Sequence, residues 1–188
     1  VGHIPMDVKY IGCDMLSMSA HKFFGPKGVG ALYIKRGTPK TPLLYGGAQE
    51  SGMRPGTENV IGIAGMGAAA QFCMDHMAKA WEHTRALQRR IETKVLSALD
   101  GVKIAGMNVD RLSTITDFLF EGVEGPALVL SMDGRNNVSA SSGSACYEGA
   151  YEPSHVLKAM GLENYGALRI SIGWSTTVEE ADYIAQAI

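Results

Sequence analysis

A lysine beside a glycine-rich turn is the first residue whose surroundings suggest chemistry. Lys22 follows the hydroxyl of Ser19 and the imidazole of His21, and Gly25-Pro26-Lys27-Gly28 comes shortly after it. An amine held on rigid backbone can bind an aldehyde cofactor, while Ser19, His21 and glycine-rich backbone can donate hydrogen bonds to a phosphate. The residue types alone leave two questions open. The segment could be a surface hairpin with a solvated lysine, and Lys27 could be the reactive amine in place of Lys22.

A second polar segment, Gly46–Asn59, precedes a predicted helix and is rich in glycine and in hydrogen-bonding side chains. Thr57 or Asn59 could cap that helix, and the positive N-terminal end of a helix also favours an anion. Simple capping and anion binding are equally open at this point.

A cysteine in a loop of small residues is the third candidate. Cys146 follows Ser141-Ser142-Gly143-Ser144-Ala145, whereas Cys73 lies among bulky apolar neighbours that are typical of a buried cysteine. A thiol attacks as the thiolate, so donors or a cation near Cys146 would have to lower its pKa from about 8.5. His155 is interpreted as a polar residue on the surface of the following helix rather than as a base for Cys146. An incidental loop thiol is the alternative for Cys146 itself.

One arginine lies in a segment whose other residues are mostly apolar and are expected to be buried. Arg169 is the charged residue of Ala167–Gly173, which is predicted to be a strand. A buried arginine needs an anionic partner, and its planar fork suits the carboxylate of an amino acid. An internal ion pair is the equally open alternative.

The elements that must position these residues alternate between strands and helices, which indicates an α/β fold. Residues 1–99 and 100–188 are predicted to be separate domains, with the long helix over 59–99 as their connector and one bend or break within it. The predicted strands lie within 14–35, where two of them flank a tight turn, and at 102–105, 114–120 and 168–172. The other predicted helices cover 126–132 and begin near Pro153 and Thr177.

Composition excludes several classes of protein. The chain has 188 residues and a net charge of -2, so it carries no basic stripe for nucleic acid. No apolar run approaches the roughly 20 residues that cross a bilayer. Three scattered cysteines form neither a disulfide framework nor a zinc motif, which indicates a reducing, cytosolic compartment. The chain begins at Val1 with no initiator Met and ends within a predicted helix, so we interpret it as a piece of a longer polypeptide.

Three motifs, in order and with family-like spacing, resemble those of group I NifS/IscS-type cysteine desulfurases, which belong to the class V aminotransferase group. The matching segments are Ser19–Lys22 with Gly25–Tyr33, Gly46–Glu50 with Arg54–Thr57, and Ser141–Cys146 with Glu152–Leu162. The resemblance implies the type I fold of pyridoxal-phosphate-dependent transferases. Residues 1–99 would then be the C-terminal part of the large cofactor-binding domain, and residues 100–188 a small C-terminal α/β domain that is truncated at its end.

The same resemblance implies roles for five residues of the first two motifs and of the arginine strand. Lys22 would form the Schiff base with pyridoxal 5'-phosphate, while Ser19 and His21 would bind its phosphate. Thr57 would reach the phosphate of the neighbouring subunit, which implies a homodimer with shared active sites. Arg169, in a segment similar to the family's Ile/Val-Arg-Phe/Ile-Ser-Leu/Ile-Gly, would bind the substrate carboxylate.

For the cysteine motif, the resemblance implies that Cys146 attacks the sulfur of L-cysteine and holds it as a persulfide, leaving L-alanine. The persulfide would pass to an iron-sulfur scaffold or another sulfur-acceptor protein, in the cytoplasm. Two departures from the family pattern are visible: Ala48 replaces a usual glycine, and Tyr147–Tyr151 is bulkier and more acidic than the usual Thr-Ser-Gly/Ala-Ser-Leu. The expected upstream half supplies further active-site residues, so this chain alone is expected to have little or no activity.

Two alternatives are kept beside this interpretation. A selenocysteine lyase could use the same residues on selenium, and a non-catalytic fragment could serve as a dimerisation or binding module. A group II desulfurase is less favoured, because that group has an Arg-x-Gly-His-His-Cys type of segment, where this chain has Ser141–Cys146.

Overall fold

A computed structural model of the protein describes residues 1–143 and 154–188. The chain packs into two compact units, Val1–Ala78 and Lys79–Ile188. The boundary between these units lies inside one long helix, whereas the sequence predicted a domain boundary near residue 100, at the C-terminal end of that helix. The assignment of residues 1–99 and 100–188 to a large and a small domain stays a prediction.

The first unit is built around a two-stranded antiparallel sheet. Its elements are the short helix α1 (Val8–Ile11), strand β1 (Met15–Ser19), a 3-10 helix (Ala20–Phe23), strand β2 (Gly30–Ile34), a second 3-10 helix (Gln49–Gly52) and the first part of helix α2 (Val60–Ala98). The register of the sheet runs from Met15 opposite Ile34 to Ser19 opposite Gly30. The two strands predicted within 14–35 are confirmed. A turn does lie at Lys27 and Gly28, among the predicted turn residues, but a 3-10 helix precedes it, so the connection is longer than the predicted tight turn.

Two glycines make this connection possible. A Cβ atom on Gly30 would lie 2.5 Å from the carbonyl oxygen of Met18, and one on Gly25 would lie 2.8 Å from the Cβ of Ala20. Side chains at either position would force the backbone apart, because such contacts are far shorter than van der Waals distance. The small core beneath consists of Ala20, Phe23, Ala69 and Cys73.

Helix α2 starts at a cap that the sequence left ambiguous. The side-chain oxygen of Asn59 accepts a hydrogen bond from the backbone N–H of Gly62 at 3.1 Å, the geometry of an N-cap residue. Asn59 therefore caps the helix, and Thr57 does not. The helix continues unbroken from Val60 to Ala98, so the predicted helix is confirmed, while a break within it is wrong.

The second unit places helices around a three-stranded antiparallel sheet in the order β3-β4-β5. Its elements after α2 are β3 (Lys103–Ile104), β4 (Ile115–Glu121), α3 (Gly125–Asn136), α4 (His155–Ala159), β5 (Tyr165–Ser171) and α5 (Val178–Ala187). Thr177 and Glu180 form a reciprocal capping box at the start of α5. The strands and helices predicted here are confirmed to within a few residues. The predicted start of α4 near Pro153 falls just outside the described residues.

The core of the second unit joins the C-terminal half of α2 to the sheet. Leu87, Ile91 and Val95 recur every four residues along one face of the helix and are at most 2% exposed. They pack with Phe118 and Leu168, which lie opposite each other in β4 and β5. The i, i+4 spacing in the sequence therefore identified the buried face of this helix.

No helix within residues 1–143 and 154–188 is long and apolar enough to cross a membrane.

Candidate active site

The predicted cofactor lysine lies on the 3-10 helix that follows β1. A 3-10 helix has three residues per turn, so Ala20 and Phe23 lie on the same side and both are buried. His21 and Lys22, between them, are turned outward and exposed. The strand end and the short helix thus present Ser19, His21 and Lys22 together at one surface of the first unit.

The backbone at Lys22 is held by contacts from three directions. The backbone N–H of Ala20 donates to the carbonyl of Val29 at 3.1 Å, and that of Gly25 donates to the carbonyl of Ala20 at 2.9 Å. A ring nitrogen of His3 lies 3.1 Å from the carbonyl oxygen of Lys22 and serves as its donor. Carbonyls near a helix C-terminus lack intrahelical donors, so His3 satisfies a group that the helix itself leaves open.

The polar side chains predicted to bind the cofactor make no hydrogen bonds to other described residues. Ser19, His21, Lys22 and Thr57 are exposed, and within residues 1–143 and 154–188 none of their side chains has a hydrogen-bond partner. The helix cap at Asn59 leaves the Thr57 hydroxyl free. A hydroxyl, an imidazole and an amine on a fixed backbone fit a phosphate and an aldehyde, so the donor set suits pyridoxal phosphate.

The competing lysine occupies a different setting. Lys27 lies in the turn before β2, next to Gly28 with φ +79°, and it is also exposed. Exposure therefore does not separate Lys22 from Lys27. The two lysines differ in their backbone contacts, because His3 donates a hydrogen bond to the carbonyl of Lys22 and not to that of Lys27. The assignment of Lys22 as the reactive amine stays a prediction.

The predicted carboxylate-binding arginine lies in the middle of β5, in the second unit. Arg169 pairs with Asp117 of β4 on one side and forms an antiparallel bridge with Ser141 on the other. Both backbone bonds of that bridge are formed, Arg169 N–H to the Ser141 carbonyl at 2.6 Å and Ser141 N–H to the Arg169 carbonyl at 3.2 Å. Within the described part of the chain, the guanidinium of Arg169 takes part in no ion pair and no hydrogen bond. Among the described residues, an anionic ligand would therefore displace no partner of this guanidinium.

Asp117 is the site residue that sequence reasoning missed. One of its carboxylate oxygens is buried and has no hydrogen-bond partner among the described residues. Burial raises the pKa of Asp117, while the positive charge of Arg169 lowers it. The sequence does contain a pattern that could have identified Asp117. It is a charged residue inside the largely apolar segment Ile115–Phe120, just as Arg169 is a charged residue inside its own apolar strand.

The predicted nucleophile, Cys146, lies outside the described residues, as does Tyr147–Tyr151. The residues on either side of this segment are described. Ser141 donates its hydroxyl hydrogen to the carbonyl of Gly143 at 2.8 Å, and Ser154 caps α4 by accepting from the N–H of Val156 at 3.3 Å.

Both flanks of that segment border a cavity of about 650 Å³ in the second unit. The cavity lies at the C-terminal end of β4 and the N-terminal end of β5. His155 lies on its wall as the first residue of α4 and is exposed, in agreement with a polar role on the helix surface. Its participation in the chemistry remains the less favoured interpretation.

Cys73 lies in the setting that the sequence indicated. It is buried against Phe23, its Sγ lies 3.6 Å from the carbonyl oxygen of that residue, and burial raises the pKa of its thiol. A raised pKa keeps the thiol protonated and unreactive. Cys73 is therefore a structural cysteine.

Comparison with known proteins gives a consistent result. The family model described as Aminotransferase class-V matches residues 1–184. The protein named cysteine desulfurase IscS of Clostridium botulinum strain Hall is 42% identical over 193 aligned positions, which cover 100% of this chain and 48% of that protein. Cysteine desulfurase 2 of Trichormus variabilis is 44% identical, and the match covers 99% of this chain and 47% of that protein.

The solved structures agree. The NifS-like protein from Rickettsia africae superposes with a TM-score of 0.87 at 33% identity, covering 99% of this chain and 49% of that one. The chain thus spans about half the length of the relatives that it matches, and the fold is that of NifS-like proteins, as the sequence predicted.

Proposed function

Because the chain belongs to the aminotransferase class-V family, we propose that it supplies the lysine, the thiol and the carboxylate receptor of a pyridoxal-phosphate-dependent cysteine desulfurase. Enzymes of this family use pyridoxal phosphate, so the cofactor expected from the sequence is that of the family. The observation that carries the proposal is the 3-10 helix after β1. It buries Ala20 and Phe23 and presents His21 and Lys22 outward, where their side chains have no hydrogen-bond partner among the described residues.

The proposed reaction assigns a role to each of these residues. Ser19, His21 and a Thr57 from the neighbouring subunit hold the cofactor phosphate, and the amine of Lys22 binds its aldehyde and then moves protons. Arg169 orients the substrate by its carboxylate. When bound, the cofactor stores the electron pair that is released as the carbon-sulfur bond of the substrate breaks.

The sulfur moves to Cys146 in a step that needs no external oxidant or reductant. The Cys146 thiolate attacks the sulfur of L-cysteine, so a sulfur-sulfur bond forms as the carbon-sulfur bond breaks. The electron pair left on carbon takes up a proton delivered by Lys22, which gives L-alanine. Cys146 is left as a persulfide, which is passed to a sulfur-acceptor protein of iron-sulfur cluster assembly or of another sulfur-transfer pathway.

We also propose the finer properties that accompany this function. The free hydroxyl of Thr57 supports a homodimer in which each subunit completes the phosphate site of the other. The two described cysteines, Cys13 and Cys73, are free thiols, which supports the reducing compartment of the cytoplasm.

The deciding experiment is persulfide labelling of the full-length protein after incubation with L-cysteine. Wild type should become labelled and release L-alanine in step, whereas Cys146→Ser should do neither. Cys73→Ser is the matched control, because it removes a thiol that is buried, and it should label as wild type does. Equal labelling of wild type and Cys146→Ser would exclude Cys146 as the sulfur carrier.

A second measurement tests the lysine. Lys22→Ala should abolish the visible absorbance of the bound cofactor, and Lys27→Ala should leave that absorbance unchanged. Unaltered absorbance in Lys22→Ala would favour the non-catalytic alternative or would move the role to Lys27.

A further inference from the structure

His3 contacts the backbone of Lys22 from a segment that lies 19 positions earlier in the chain. We propose that His3 is a positioning residue for Lys22: its hydrogen bond to the carbonyl of Lys22 fixes the backbone from which the reactive amine projects. This inference rests on the proposed function, which assigns that amine to Lys22.

The carbonyl of Lys22 lacks the two donors that a continuing helix would provide. In a 3-10 helix the backbone N–H of Gly25 would donate to it, but that N–H donates to the carbonyl of Ala20 at 2.9 Å instead. In an α-helix the donor would be Pro26, which has no N–H. His3 provides the missing donor, since its ring nitrogen lies 3.1 Å from this oxygen and a carbonyl can only accept.

Two further contacts hold His3 in place. The preceding residue, Gly2, lies directly on the small core of the first unit. A Cβ atom on Gly2 would be 2.5 Å from the Cβ of Phe23 and 3.2 Å from the Sγ of Cys73. The imidazole of His3 packs at an angle against the ring of Phe24, with the two centroids 6.3 Å apart. His3 is half-buried as a result, and it holds the Lys22 carbonyl from a fixed position.

The backbone just after Lys22 is strained and needs such support. Phe24 has φ 68° and ψ 7°, in the left-handed region that is unfavourable for a residue with a side chain. Residues stay in this region only where the surrounding structure holds them there. His3 contacts both the carbonyl two positions before Phe24 and the ring of Phe24 itself.

Holding this carbonyl limits where the amine can lie. The peptide unit between Lys22 and Phe23 is planar, so it rotates as one body if its carbonyl is released. Such a rotation turns the Cα–C bond of Lys22, the Cα–Cβ bond tilts with it, and the long side chain amplifies the tilt at the amine. That amine must meet an aldehyde whose phosphate is held by Ser19 and His21, and a misplacement of about 1 Å can cost about a hundredfold in rate.

The neighbouring Lys27 allows the position of the amine to be measured within one molecule. Full-length apoprotein is treated briefly with a limiting amount of pyridoxal 5'-phosphate. An amine joins the aldehyde carbon with loss of water, borohydride reduces the carbon-nitrogen double bond, and peptide mass spectrometry gives the initial rates at Lys22 and Lys27. Both lysines are exposed, so the ratio of the two rates reports geometry rather than access, and wild type should favour Lys22.

Two variants separate the hydrogen bond of His3 from its ring. His3→Phe keeps a ring beside Phe24 and loses the donor, so it should lower the ratio of labelling at Lys22 to labelling at Lys27 about tenfold. His3→Gln loses the ring but keeps an N–H that reaches about as far as the imidazole Nε2, so its ratio should stay within about twofold of wild type. A role in packing alone would give the opposite order.

His76 provides the matched control in the same unit. Its ring Nδ1 lies 2.9 Å from the backbone carbonyl of Phe72. His76→Phe therefore makes the same substitution and removes the same kind of hydrogen bond, but from a carbonyl other than that of Lys22. This variant should leave the labelling ratio unchanged.

The inference is overturned if His3→Phe gives the same ratio as His76→Phe, or if His3→Gln lowers the ratio as much as His3→Phe does. In both cases, faster labelling of Lys22 than of Lys27 in wild type would leave the proposed function intact. If wild type labels Lys27 as rapidly as Lys22, the assignment of the amine and the role of His3 both fail. A protein whose ratio depends on His3 as expected, but which releases no L-alanine from L-cysteine, would disprove the proposed function alone.

Discussion

The two compact units cover their apolar side chains to different extents. In Val1–Ala78 the buried cluster contains four residues, two of them alanines. Large apolar side chains of the same unit lie in solvent, among them Tyr10, Leu43 and Ile61, which are 91%, 92% and 88% exposed. In Lys79–Ile188 the principal cluster contains nine buried residues from α2, α3, α5 and all three strands.

This difference shows which part of the chain completes its own core. Burying a large apolar side chain stabilises a protein by about 1.5–3 kcal/mol. A unit that leaves such side chains in water lacks this stabilising free energy. The chain spans about half the length of its relatives. Under the proposed function, we expect further parts of the protein and a second subunit to cover the first unit, while the second unit has the larger internal core.

The most direct way to break this comparison is to separate the units. Residues 79–188 expressed alone should unfold in one cooperative thermal transition, because their core is internal to them. Residues 1–78 alone should show no such transition and should be degraded quickly in limited proteolysis. A cooperative transition in residues 1–78 would show that four buried residues suffice and would refute the contrast.

Single truncations of leucine sharpen the comparison within the chain of 188 residues. Leu168 is 1% exposed in the second unit, and Leu168→Ala should lower the free energy of unfolding by about 3 kcal/mol. Leu43 is 92% exposed in the first unit, and Leu43→Ala should change it by less than about 0.5 kcal/mol. Chemical denaturation measures both. A comparable loss in Leu43→Ala of the same chain would contradict the exposure of Leu43 and with it the contrast between the two units.

The second unit also buries a polar side chain, which gives a smaller effect. Gln88 is 1% exposed and donates to the backbone carbonyls of Leu112 and Ile115 at 3.0 and 2.8 Å. Gln88→Leu should lower the free energy of unfolding by about 2 kcal/mol, because two carbonyls lose their donor. Gln71→Leu is the control, since Gln71 is exposed on the same helix and, within residues 1–143 and 154–188, its side chain bonds to Asp75 alone. An equal loss of stability in both variants would show that the two hydrogen bonds from Gln88 to the carbonyls of Leu112 and Ile115 are not its cause.

The smallest expected effect concerns a surface ion pair of the second unit. Arg90 and Lys94 on α2 bind Asp182 on α5 and hold the pKa of that carboxyl well below its usual range. Because the pKa is lower in the folded state, the pair stabilises the fold above the ordinary aspartate value of about 3.9. That stability is lost as the pH falls through the folded pKa.

Asp182→Asn should therefore lower the thermal midpoint slightly at neutral pH, and high salt should reduce the difference. The gap between wild type and variant should close as the solution is acidified below the ordinary aspartate pKa. Asp75→Asn, which removes an exposed carboxyl of the first unit that bonds to Gln71, is the control. A gap that widens on acidification would contradict the assignment.

Periodic patterns made the elements of both units predictable. The turn residues within 14–35, with a strand-like run on either side, located both strands of the first unit, and the spacing of Leu87, Ile91 and Val95 located the buried face of α2. Such patterns are local properties of the chain, because one face of a strand or helix must be apolar to be buried. The continuous course of α2 was not predictable, since its glycines weaken the helical signal without ending the helix.

The details of the site depend on contacts between distant residues. The 3-10 helix at Lys22 has four residues, too few to give a periodic pattern in the sequence. Its two buried residues, Ala20 and Phe23, pack against Ala69 and Cys73 of α2, which are distant in the sequence. Asp117 could be named as a charged residue in a strand, but its position opposite Arg169 follows from the register of β4 and β5. The catalytic role of Cys146, which lies outside the described residues, rests on the family resemblance.

The bridge between Ser141 and Arg169 fixes one end of the segment that leads to Cys146. Ser141 is tied to β5 by two backbone bonds, and Cys146 follows five positions later (146 − 141 = 5). Five residues span at most about 17 Å when fully extended. Under the proposed function, Ser141 is the fixed end of a tether, and the Cα atom of Cys146 is confined to a sphere of that radius. The persulfide reaches beyond this sphere only by the length of its side chain, so an acceptor protein must bring its own cysteine to that boundary, and the tether selects among acceptors by their shape.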